Sequence, residues 1–356
     1  MNGVHCQIST AITDANASFG EAVHVSASVF TPRLFSVPLI APKSALSINR
    51  QTTPTTTGGI IIGIVVTEPF RAHPGCLPVL RRLWRGKGTA SPVQLARELI
   101  SILAQAFPDR LVHAVGDAAY HGKALLVPAT TITTRLPANA ALYALAPPRT
   151  GKRGRPRSKG ARLGRPVDLA ATAQWRRATI TRYGRSVIVE IADIPSIWYG
   201  AFGNTPGRTV LVRDPGDDRV LAVFTTDTDS CTDAVVERYA HRWPIETAIA
   251  SGKQLLGIGQ ARNRLQRAVE RTVPLSFCVY SLVIVWYTLH GYHPDDLTGR
   301  RSDQPWYPHK DEPAFEDMLA KLRRTLVAAR ITSVAAAQPD PRKYRDYELA
   351  CAAAAA

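Results

Sequence analysis

Tyr239, Arg242, Glu246 and Lys253 lie in one segment, SCTDAVVERYAHRWPIETAIASGKQLLG, which runs from Ser230 to Gly257. Continued as one helix at about 100° per residue, the four fall within a wedge of roughly 60°. An aromatic hydroxyl, a guanidinium, a carboxylate and an ammonium then point the same way. A face built for stability would be apolar. A solvated face with scattered charges gives no reason to hold one carboxylate among three groups suited to phosphates. Pro244 cannot donate within a continuous helix, so it either kinks that helix or stands first in a second one.

The spacing Tyr-x2-Arg-x3-Glu-x6-Lys resembles the signature of a superfamily of DDE-type insertion-sequence transposases, and all four positions match here. The resemblance implies that Glu246 is the last carboxylate of an Asp-Asp-Glu metal site. It also implies that Tyr239, Arg242 and Lys253 lie along transposon-end DNA, mainly on its phosphates. The family's fold is ribonuclease H-like, a mixed α/β sheet with flanking helices, here interrupted by a β-rich insertion.

Several elements must position these groups. Gly59–Thr67 (GIIIGIVVT) is a β-branched run expected to be a buried central strand. Ser91-Pro92 opens a helix as N-cap and first residue. Val93, Ala96, Leu99, Ile100, Leu103 and Phe107 form its apolar face, and Pro108-Asp109 ends it. Leu111–Val115 is then a strand running into Asp117. An Asp beyond a buried strand end is a common ligand position in open α/β sheets, although a turn-forming Asp is the bland alternative. Asp117-x-x-Tyr120 resembles the family's motif around its second Asp, which makes Asp117 the partner of Glu246 as metal ligand and catalytic residue.

The stretch between Asp117 and Glu246 is far longer than a bare core needs, and it reads as mostly β. Arg177–Val189 alternates around Tyr183-Gly184, and Thr209–Val212 and Val220–Thr226 flank a turn at Asp214–Asp217. Ile197-Trp198-Tyr199 suits core packing better than base stacking. Before these strands lies PPRTGKRGRPRSKGARLGRP, from Pro147 to Pro166, with eight Arg or Lys residues. Its Gly and Pro content excludes a regular helix, and its charge suits phosphates. Arg153, Arg155 and Arg157 lie at or beside an Arg-Gly-Arg-Pro core that resembles an AT-hook for a narrow minor groove.

The whole composition agrees with a polyanionic partner. The chain has 356 residues, a formal net charge of +16 and a pI near 10.0. That balance points to polyanions, most simply nucleic acid, and the resemblance implies double-stranded DNA, at transposon ends and target, as the partner. Five cysteines without a Cys-x-x-Cys pair argue against a zinc site and for a reducing compartment. A cytoplasmic, nucleoid-associated protein is expected, with no secretory signal and no membrane partner. The apolar run Val273–Leu289 reads as a buried core helix rather than a membrane span. Pro313–Ile331 reads as an amphipathic helix with Phe315, Met318, Leu319, Leu322 and Leu326 on one face.

The expected organisation is an atypical segment over 1–57, a first core part over 58–136, the basic loop and β-rich insertion over 137–228, a second core part with C-terminal helices over 229–335, and a tail over 336–356. The resemblance implies two Mg²⁺ ions, with Mn²⁺ as substitute, held by carboxylates and acting on a scissile phosphate. It implies a dimer on DNA that brings two transposon ends together. The first Asp of the triad belongs before Gly59–Thr67, and Asp14 is the only Asp before Asp109. The leading reading is therefore a transposase that cuts and joins DNA at insertion-sequence ends. The alternatives are a catalytically inactive remnant that only binds DNA and a simple minor-groove-binding protein.

Overall fold

The computed structural model describes residues 34–40, 58–86, 88–148, 156–258, 265–297 and 310–335. In chain order the strands are β1 (Leu34–Ile40), β2 (Gly58–Val66), β3 (Gly75–Trp84), β4 (Leu111–Gly116), β5 (Thr130–Arg135), β6 (Leu142–Tyr143), β7 (Arg162–Gly164), β8 (Arg176–Arg182), β9 (Arg185–Ser196), β10 (Gly207–Arg213) and β11 (Leu221–Thr225). The helices are α1 (Pro92–Ala106), α2 (Pro166–Thr172), α3 (Tyr199–Phe202), α4 (Thr232–Ala240), α5 (Pro244–Leu255), α6 (Gln266–Trp286) and α7 (Phe315–Ala335). The chain divides into two compact units, one of Met1–Ala41, Lys87–Ala178 and Ile188–Tyr239, the other of Pro42–Gly86, Thr179–Val187 and Ala240–Ala356.

The first unit is a mixed sheet with helices beside it. β4 runs parallel to β1 on one side and to β5 on the other. Val112, His113, Ala114 and Val115 are consecutive and all buried, as expected of a parallel strand covered on both faces. β5 then pairs antiparallel with β11, β11 with β10, and β10 with β9. The β-rich stretch thus continues the sheet of β4 and β5. β8 and β9 form the expected hairpin around Tyr183-Gly184, whose positive φ angles of 54° and 72° suit the tight reversal. Asp217 N–H donates to Asp214 C=O at 3.0 Å in the turn between β10 and β11.

The start of α1 follows from its sequence. Ser91 Oγ accepts from Gln94 N–H, and Ser91 N–H donates to Gln94 Oε1 at 2.8 Å, a reciprocal capping box ahead of Pro92. Ala96, Leu99, Ile100 and Leu103 are its buried face, while Val93 and Phe107 are only half-buried. Ile197 and Trp198 are buried, and the Trp198 ring lies against His121, Phe202 and Phe224. Core packing is therefore their role, while Tyr199 is partly exposed.

In the second unit β2 pairs antiparallel with β3, so the β-branched run is one arm of a hairpin. Ile60, Ile62 and Ile64 are buried, whereas Ile61 is half-buried. α5 and α6 pack on β3, and α6 on α7. The core here comprises Phe70, Ala248, Tyr280, Val283, Ile284, Tyr287, Phe315, Met318 and Leu319. Arg71 donates to Pro313 C=O through Nε at 3.0 Å and Nη2 at 2.7 Å, tying the loop after β2 to the start of α7. Burial raises the pKa of the Glu68 carboxyl, and the Arg71 guanidinium beside it opposes that rise.

Several expectations change. β1 carries a proline at position 38, and the sequence did not single it out because proline argues against a paired strand. Asp14 and the alternating segment Val23–Phe30 lie outside the described residues. α6 is buried on one face only, with Leu275, Val279 and Leu282 exposed on the other. It passes into a π-helical turn at Tyr287–Gly291. Among the described residues it lies in the one span, Glu270–Gly291, long and apolar enough to cross a membrane. Leu326 of α7 is exposed rather than packed.

Candidate active site

The signature segment does not form one helix. α4 carries Tyr239 and ends at Ala240, a turn follows, and α5 begins at Pro244 in the first helical position. Pro244 has no N–H to give to the helix, so it stops the ladder of α4 and suits the start of α5. Tyr239 consequently belongs to the first unit, and Arg242, Glu246 and Lys253 to the second.

Glu246 lies in the first turn of α5, where the unpaired backbone N–H groups favour negative charge. Lys253 lies in the last turn, where the opposite end favours positive charge. Arg242 Nη1 donates to Glu246 Oε1 at 2.7 Å, so the structure brings these two signature residues together. The Arg242 side chain is largely buried and the Glu246 side chain half-exposed, so the carboxylate faces water on one side. Trp243, between them, is 49% exposed and meets the ring of Tyr183 edge-on at 6.3 Å.

Asp117 follows β4 directly and belongs to the first unit. Its Oδ1 accepts from Ala119 N–H at 2.9 Å, and Thr134 Oγ1 donates to its backbone carbonyl at 2.7 Å. The turn is thereby fixed to β5, with the carboxylate partly exposed. Tyr120 is buried just behind it, and burial together with the Asp117 charge pushes its hydroxyl pKa upward. β1 lies beside β4 with Leu39 opposite Gly116, and its sequence LFSVPLI contains no carboxylate.

The carboxylates of Asp117 and Glu246 are hard oxygen donors and belong to different units. The strand next to Asp117 adds none. Among the described residues, no three or more His, Cys, Asp or Glu side chains are gathered so as to hold a metal ion.

The basic loop is held at its stem. Gly160 N–H donates to Ala144 C=O at 2.9 Å, and Ala144 N–H to Ala161 C=O at 2.8 Å, beside the β6–β7 pair. Lys159 Nζ sits 3.6 Å from the ring centre of Tyr143 and 4.3 Å from that of Tyr199. Arg157 is exposed next to this stem, while Arg153 and Arg155 lie outside the described residues.

Sequence reasoning missed a buried polar cluster in the first unit. His113 of β4, Asp227 after β11 and Arg238 of α4 are 1%, 3% and 6% exposed. Arg238 Nη1 donates to Asp227 Oδ2 at 2.7 Å and to His113 Nδ1 at 2.7 Å, and its Nη2 donates to Ser230 Oγ at 3.0 Å. His113 Nδ1 also contacts Thr131 Oγ1. Burial first, and the Arg238 charge second, lower the His113 pKa to about 4 against the opposing charge of Asp227. Burial alone would raise the Asp227 pKa, but hydrogen bonds from Ser230 and Arg238 outweigh it and hold it well below the usual carboxylate range. The only sequence signal was the charge of Arg238 on an otherwise apolar helix face with Val235.

The comparison with known proteins bears on the family. No curated protein matches the chain. The family model described as the transposase DDE domain matches residues 85–282, more than half of the chain and a span that includes Asp117, Tyr239, Arg242, Glu246 and Lys253. The chain therefore belongs to the transposase DDE domain family.

Proposed function

We propose that this protein cleaves and joins DNA strands at the ends of an insertion sequence. Membership of the family carries a transposition-related function and a DNA substrate, and enzymes of the family generally use divalent metal ions. The observation that carries the finer reading is the Arg242–Glu246 pair at 2.7 Å in a complete signature. The chain order of β1, the β2–β3 hairpin, α1, β4 and β5, with β1, β4 and β5 parallel, supports a ribonuclease H-like core.

In this reading Asp117 and Glu246 are the second and third carboxylates, and the first comes from the residues before β1, with Asp14 the candidate. A metal ion would supply charge stabilisation at the phosphate. The chain's own groups bind and orient. Arg242 exchanges Glu246 for a DNA phosphate, which frees the carboxylate as the substrate arrives. Tyr239 and Lys253 hold the flanking backbone, and Arg153, Arg155 and Arg157 reach along it. Two copies bring two ends together, in the compartment that holds the nucleoid.

The test is nicking of a duplex carrying the element's ends, with and without Mg²⁺. Wild type should nick, and Glu246→Ala, Asp117→Ala and Asp14→Ala should not. Nicking by Asp14→Ala alone would remove Asp14 from the site. Salt-dependent binding by every variant, with no nicking even by wild type, would identify a DNA-binding remnant instead.

A further inference from the structure

Tyr239 and Asp117 sit on different elements of the first unit, α4 and the end of β4. One buried cluster joins those elements. His113 lies within β4, four residues before Asp117, which follows the end of the strand. Arg238 immediately precedes Tyr239 on α4 and is buried, whereas Tyr239 is half-buried. Asp227 works on both sides of the contact. Its Oδ2 receives Arg238, and its Oδ1 accepts the N–H groups of Asp229 at 3.1 Å and Ser230 at 3.0 Å, just before α4.

Nothing in the chemistry of stability alone requires this arrangement. A buried ion pair loses most of its attraction to desolvation and can often be replaced by apolar side chains without loss. Its distinguishing property is direction. A guanidinium that donates to a carboxylate, a hydroxyl and an imidazole nitrogen fixes both the rotation and the axial position of the helix that bears it. Leucine or methionine in its place would fill the volume and leave the helix free to turn or slide.

We infer that Asp227, Arg238 and His113 form a positioning linkage that sets α4, and with it the DNA-contacting face of Tyr239, relative to the strand that carries Asp117. The inference rests on the proposed DNA-end activity. It makes Arg238 a positioning residue that acts through Tyr239 rather than on DNA. His113 serves as an acceptor, so a neutral imidazole is the working form.

The test is a double-mutant cycle read on binding of the end duplex and on nicking rate at saturating DNA. The paired variant Asp227→Leu/Arg238→Met keeps volume and leaves no buried lone charge. It should retain its circular dichroism spectrum and cooperative unfolding, yet bind ends about tenfold more weakly and nick at least tenfold more slowly. Tyr239→Ala should weaken binding about as much, and adding the paired change to it should cost less than a further twofold. Additive losses, or wild-type behaviour of the folded paired variant, overturn the linkage alone. Wild-type binding by Tyr239→Ala removes Tyr239 from the DNA and overturns the linkage together with that part of the functional reading. Should the paired variant not fold, His113→Gln and His113→Leu decide the matter. Gln retains an acceptor for Arg238 and should nick like wild type, whereas Leu should nick at least fivefold more slowly. Equal rates for the two overturn the linkage.

Discussion

Two kinds of charged residue stand out, and burial separates them. Glu246 and Asp117 are partly exposed, whereas Asp227 is enclosed and committed to Arg238. The enclosed set carries a pH dependence whose sign follows from the His113 shift. His113 ordinarily titrates near 6.5 and is lowered to about 4 in the fold. Unfolded chains therefore bind more protons than folded ones between those values, and stability is lost as pH falls from about 6.5 to about 4. That loss amounts to roughly 3 kcal/mol. The depressed Asp227 acts in the same direction, its contribution disappearing as pH falls below the ordinary Asp value of 3.8. Urea midpoints recorded from pH 7 to pH 4 should fall accordingly, and His113→Gln should flatten that stretch of the curve. At the exposed set the expected signature is electrostatic. Lys253→Ala should weaken binding of end DNA and lower the slope of log K against log salt by about one; an unchanged slope would take Lys253 out of the interface.

Elements differ in how far they are specified locally. α1 is specified at its start and along one face: Ser91 caps it, Pro92 fits its first turn, and Leu99, Ile100 and Leu103 recur at helical spacing. Replacing Ser91 with Ala should cost about 1 kcal/mol, visible as a lower unfolding midpoint at unchanged denaturant slope. The Tyr183-Gly184 reversal is equally local. Gly184 has φ of 72°, and its position leaves His73 about 3.1 Å from where a Cβ would stand. A β-branched residue there combines backbone strain with close contact, and Gly184→Val should destabilise the second unit by about 1–3 kcal/mol. The split between α4 and α5 belongs at this scale too. Pro244 allowed a kink or a fresh start, and the turn through Trp243 took the fresh start. Helical spacing across a proline is therefore a weak guide to what shares a face.

At the scale of the whole molecule the charge of +16 includes the basic stretch, whose stem is closed by Ala144, Gly160 and Ala161. Because the stem bonds are independent of the loop's charges, changing Arg149, Lys152, Arg153, Arg155 and Arg157 together to Ala should leave the unfolding midpoint within about 1 kcal/mol of wild type. The same change should reduce the salt slope of DNA binding by up to about four. A collapse of stability would show the loop to be part of a core. Local sequence was sufficient for what depends on neighbours in the chain: the cap and face of α1, the β4 strand running into Asp117, the β8–β9 and β10–β11 hairpins, and the signature whose four side chains mark the family. It was insufficient wherever the deciding partner lies far along the chain. β1 carries a proline and is recognisable as a strand only through its parallel pairing with β4. The apolar run of α6 packs on one face because Phe315, Met318 and Leu319, some forty residues on, cover that face and leave Leu275 and Leu282 to solvent. The burial of Asp227 and Arg238 likewise depends on His113, more than a hundred residues before them in sequence. Only the folded chain brings the three within hydrogen-bonding distance, and charges are held in such a place because each there satisfies another.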